Sequence, residues 1–80
     1  MNLDVARHVI RVAFGSARDL EELLGLLKEQ CGANEYKTYT KAIGTAIASI
    51  HTEIVNRVTE THPELEREIE SVIAKYDRYL

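Results

Sequence analysis

Ala42-Ile43-Gly44-Thr45-Ala46-Ile47-Ala48-Ser49-Ile50 runs for nine positions without a charge, in a chain where charged residues are 29% of the total. Around it, Tyr36, Ile43, Ile47, Ile50, Ile54 and Val58 recur at helical spacing, and the last five lie 4, 3, 4 and 4 apart, close to a coiled-coil seam. The pattern predicts one long helix over about 35–61, roughly 40 Å at 1.5 Å per residue. Ala42 and Ala46 flank the seam on one side, and Gly44, Ala48 and Val55 flank it on the other. Small residues four apart let backbones approach closely. The reading is therefore a helix at the centre of a bundle, with a tight neighbour on each flank and a second chain completing its cover.

The outer face of this helix is also unusual. Thr38, Thr45, Ser49, Thr52, Asn56 and Thr59 line up where an exposed face more often carries Glu, Lys or Arg, which are better helix formers. Hydroxyls satisfy themselves against their own backbone and tolerate packing against another helix. The face is either a solvated surface or a neutral surface for self-association. The residues expected at the interface are Thr45, Ala46, Ala48, Ser49, Thr52 and Asn56.

Downstream, His62-Pro63 ends the long helix, because Pro disfavours helical geometry in the residue before it. Thr61 and Glu64 have capping-box spacing for a helix from about Pro63 to Tyr79. Its stripe is Leu65, Ile69, Val72, Ile73, Tyr76 and Leu80, with glutamates in its first half and Lys75 and Arg78 near its end, as the helix dipole favours. A tight turn folds it back antiparallel, with Ile69 near Val55 and Tyr76 near Ala48.

Upstream, Leu3, Ala6, Val9, Ile10 and Ala13 mark a helix from about Leu3 to Phe14, with Asn2 as its cap. Gly15-Ser16 interrupts it as a turn or a kink, and Ser16 with Asp19 has the look of a new helix start. A second segment from about Ala17 to Gln30 carries Leu20, Leu23, Leu24 and Leu27 on one face, with Leu26 beside them. Gly25 is placed to permit a close crossing. Cys31-Gly32-Ala33-Asn34 is the clearest break: Gly32 suits a left-handed helix end and Asn34 a helix start.

The fold class expected is all-α, a small antiparallel three- or four-helix bundle with a long central helix over about 35–61, residues 1–80 forming one domain. A chain this short often needs disulfides, metals or a partner to fold stably. Cys31 is its single cysteine, so no intrachain disulfide forms and no zinc set exists around it. A homodimer or higher homo-oligomer is the expected source of extra burial, with a further protein partner possible.

Chemistry-bearing residues are sparse. His8, His51 and His62 lack the Glu-x-x-His pairing of di-iron bundles and the spacing of a zinc helix, so no metal or other cofactor is expected. Cys31 lies at a helix C-terminus, where the dipole raises a thiol pKa, which is the wrong end for a nucleophile. No glycine-rich phosphate loop is present. The chain is not expected to be an enzyme.

A net charge of −3 argues against nucleic acid as a partner. The competing reading is a small DNA-binding regulator using Asn34 to Lys41, where Lys37, Lys41 and nearby hydroxyls loosely resemble the start of a helix-turn-helix recognition helix. No apolar run approaches the ~20 residues of a membrane span. The charges Asp4, Arg7 and Arg11 do not fit a signal peptide, and a cytoplasmic setting is expected. The function these features favour is a self-associating helical protein-interaction or scaffolding module.

Overall fold

The computed structural model describes residues 1–79, and all of its regular structure is helical. Leu80, expected to finish the last apolar stripe, lies outside the described residues. The chain forms three rods. The first is α1, Leu3–Gln30; the second joins α2 (Ala33–Ser49), a π-helical turn (Ile50–Val55) and α3 (Asn56–Thr61); the third is α4, Glu64–Tyr76.

The rod α1 starts where Asn2 accepts a hydrogen bond from the Val5 N–H at 2.9 Å. It runs unbroken through Gly15-Ser16, so the interruption expected there is absent. A mid-helix glycine costs roughly 1 kcal/mol, and burial of Ala6, Ile10, Ala13 and Ala17 along one face outweighs that cost. Ser16 consequently caps nothing. Gly25 also sits mid-helix, and no other element comes within 4 Å of where its Cβ would be, so it serves no close crossing in this chain.

Cys31 ends α1 in an extended conformation, its N–H donating to Leu27 O at 2.9 Å. Gly32 has φ −67 and ψ 164 and opens α2 from an ordinary β-region conformation, in place of the left-handed end expected. The Tyr36 N–H closes the first turn on Gly32 O at 2.9 Å. Helix formation therefore resumes at Ala33, ahead of Asn34.

The π turn changes which residues reach the core. An i→i+5 turn takes up extra chain, shown by the Asn56 N–H donating to His51 O. The seam is rotated beyond Ile50: Val55 is 7% exposed, while Ile54 is 42% exposed. Val55 therefore holds the core position the heptad spacing assigned to Ile54.

Pro63 begins the turn into α4, and the expected Thr61–Glu64 capping box is not formed. Thr61 Oγ1 instead donates to Val58 O at 3.1 Å. The last helix stops at Tyr76, earlier than expected, because Asp77 adopts a left-handed conformation at φ 59 with its N–H on Ile73 O. Aspartate tolerates this region better than most residues. The turn swings Tyr79 back into the core, 6% exposed, and leaves Tyr76 at 51%.

The core consists of Ala6, Ile10 and Ala13 from α1, Val55 and Val58 from the second rod, Leu65 and Ile69 from α4, and Tyr79. Val55 and Ile69 share this cluster, as the antiparallel register requires. Arg7 Nε donates to Glu68 Oε1 at 3.0 Å, and Arg18 Nη1 donates to Tyr79 O at 3.2 Å, tying α4 and the tail to α1. The core occupies one end of a molecule measuring 45 × 25 × 16 Å. At the other end α1 and α2 lie side by side, and only Ala17 and Ile43 are fully buried there. The uncharged stretch is thus not central: Ala42, Gly44, Thr45, Ala46, Ala48 and Ser49 are all exposed within the single chain.

Candidate interaction surface

The six residues singled out from sequence, Thr45, Ala46, Ala48, Ser49, Thr52 and Asn56, are all exposed on the second rod. Most of the threonine hydroxyls around them are turned onto their own helix. Thr38 Oγ1 donates to Asn34 O at 3.1 Å, Thr45 to Lys41 O at 3.0 Å, Thr52 to Ala48 O at 3.0 Å and Thr59 to Asn56 O at 3.1 Å. Each donor is satisfied locally, which leaves the face with little demand for an outside partner. The structure does not gather the six on one side. Ala46 is one turn before Ile50, whereas Ala48 belongs to the other flank of the rod.

A second surface lies between α1 and the second rod, on the side away from α4. Val9, Val12, Ala13, Ile50 and Ile54, with His8 and Ser16, line an open groove of about 410 Å³. Val12 is 53% exposed and Ile54 42%. Val5, 48% exposed, and Leu23, 39% exposed, stand seven residues before and eleven after Val12. Those intervals return to within about 20° of the same side of an α-helix. On the neighbouring rod Tyr39, 49% exposed, and Ala46 precede Ile50 by eleven and four residues and fall on the same side. One face of the molecule therefore presents Val5, Val12, Leu23, Tyr39, Ala46 and Ile54 to solvent along its length.

The side facing α4 is closed by aromatic contacts. Phe14 packs edge-on against His51 with ring centroids 5.2 Å apart, and against Tyr79 at 5.0 Å. The contrast between the two sides follows from α1 itself. Its first half carries Leu3, Val5, Ala6, Val9, Ile10, Val12 and Ala13, an apolar arc wider than one neighbour covers. That arc was the signal in the sequence for a second contact surface on α1. The expected interface drew on the second rod alone and passed over it.

Cys31 is half-buried between α1 and α2. Its thiol pKa is raised, foremost by hydrogen bonding with the Glu35 side chain, then by desolvation and by repulsion from the same carboxylate. The direction matches the expectation from the helix end, and the main cause is a side chain one turn on. Lys37 and Lys41 are exposed at the start of α2. Of the arginines considered with them, Arg7 is engaged by Glu68 and Arg18 by Tyr79 O. Among the described residues no three His, Cys, Asp or Glu side chains converge as a metal site, and no helix is long and apolar enough to cross a membrane.

No family model, curated protein or solved structure matches this chain.

Proposed function

We propose that this protein is a self-associating helical module that works by binding protein, as an interaction or scaffolding unit. The observation that carries the reading is unburied area. A globular monomer of 9.1 kDa exposes about 4,900 Å² of accessible surface, and this chain exposes 5853 Å². Its radius of gyration is 14.7 Å, against about 12 Å for a compact chain of this length. The excess surface sits on exposed valines, leucines and an isoleucine, which gain free energy from being covered.

The DNA-binding alternative draws less support. A helix-turn-helix sets its two helices at a steep angle, whereas α1 runs alongside α2 and on past the π turn. Lys37 and Lys41 have no clustered arginines beside them, and the net charge is negative.

The module reading predicts that thermal stability depends on protein concentration, since association that selects the folded state raises the midpoint by mass action. Thermal unfolding followed by circular dichroism over a hundredfold range of concentration tests it. A rising midpoint supports association, and one fixed across the whole range contradicts it.

A further inference from the structure

We infer that the partner is a second copy of this chain, and that it seats on the apolar face away from α4, centred on Val12, Ser16, Ala46 and Ile54. This rests on the self-association reading above and assigns it a surface. The surplus of accessible area is roughly 950 Å², close to the ~800 Å² that each partner contributes to a standard interface. One copy of the face, covered once, removes it. The occupant follows from the chemistry of the face. It is apolar along its length, with no block of one charge sign that would select an oppositely charged partner. A flat apolar stripe is complementary to itself, and isologous two-fold pairs are the commonest assemblies.

The small residues Ser16 and Ala46 lie mid-length on the two rods and let the copies approach there, with Val5, Tyr39 and Leu23 closing towards the ends. The threonine face is a poorer candidate. It offers little apolar area, and the hydroxyls of Thr38, Thr45, Thr52 and Thr59 are already bonded to their own helix.

The test uses the full chain and three variants, each followed by light scattering after size exclusion and by helical circular dichroism. Val12→Glu and Ile54→Glu place a charge in the proposed contact, and Thr52→Glu places one on the outer face. All three positions are exposed in the single chain, so each variant is expected to keep its helical signal. The expected result is a dimeric wild type, a dissociation constant raised at least ~100-fold by Val12→Glu and by Ile54→Glu, and no change for Thr52→Glu. Should a glutamate variant lose its helical signal, Val12→Ser and Ile54→Ser carry the same comparison with a smaller shift. A dimer that resists Val12→Glu and Ile54→Glu but is broken by Thr52→Glu overturns the assignment of the face and leaves self-association standing. A wild type that is monomeric at every concentration overturns both.

Discussion

Ile10 and Leu65 are the largest side chains fully removed from solvent, and each joins α1 or α4 to the common core. Leu65→Ala removes three buried carbons and leaves a cavity that helices of this kind collapse only partly, at a cost of about 2–5 kcal/mol. A chain of this length has a total stability of about 4–12 kcal/mol, so the variant is expected to lie at or near the threshold of folding. Chemical denaturation checks it; a loss below about 1 kcal/mol would mean that the core is not where the structure puts it. Gly25→Ala should act in the opposite direction. Nothing lies within 4 Å of the added methyl, and alanine is favoured over glycine in a helix by up to about 1 kcal/mol. A destabilised Gly25→Ala would reveal a neighbour, in this chain or another, that needs the glycine. Cys31 supplies a third residue-scale test. With its pKa raised by Glu35, less thiolate is present at neutral pH, so Glu35→Ala should speed labelling by a thiol-specific disulfide reagent at pH 7. An unchanged rate would remove Glu35 as the cause.

At the scale of elements, the π turn decides which side chains are core and which are surface. Because it takes up extra chain between two α-helical stretches, removing one exposed residue inside it should return the rod to plain α geometry with Val55 and Val58 still facing the core. Deleting Thr52 is therefore expected to leave a folded protein with a modest change in midpoint. Deleting Thr45, inside regular α2, instead rotates every residue beyond it by about 100° relative to Ile43 and is expected to cost much more. Equal losses from the two deletions would contradict this role for the π turn. The same element marks the limit of what the sequence makes readable. The long rod, its end at His62-Pro63, and the stripe through Leu65 and Ile69 are all visible as apolar spacing and a proline. The exchange of Ile54 for Val55 is not, because a rotated turn leaves no mark in composition or in the spacing up to Ile50. Gly15-Ser16 misleads for a different reason: local propensity favours a break, and the buried alanines on either side override it. The inward return of Tyr79 depends on one left-handed aspartate, a conformation that sequence permits without announcing.

The whole molecule is an incomplete object when taken singly. Its core fills one end, where α1, α3 and α4 meet, while α1 and α2 continue beyond it as a pair with one long apolar side uncovered. The uncharged stretch Ala42 to Ile50 correctly signals a need for cover, but the single chain supplies little of it. Ile43 is buried, Ile47 and Ile50 are half-buried, and Ala42, Ala46 and Ala48 remain exposed. Leucine at Ala46 or Ala48 therefore meets no clash within one chain, and overpacking at about 1–3 kcal/mol arises only if a second chain covers the position. On the proposed face, Ala46→Leu should weaken association and leave the helical signal intact, and Ala48→Leu should do neither.

The central claim is that a second copy completes the fold, and solution mass measured by light scattering, from low micromolar to millimolar chain concentration, tests it most directly. The account predicts a mass twice the 9.1 kDa of the chain, falling towards the single-chain value only on strong dilution. A mass of 9.1 kDa at every concentration would contradict it.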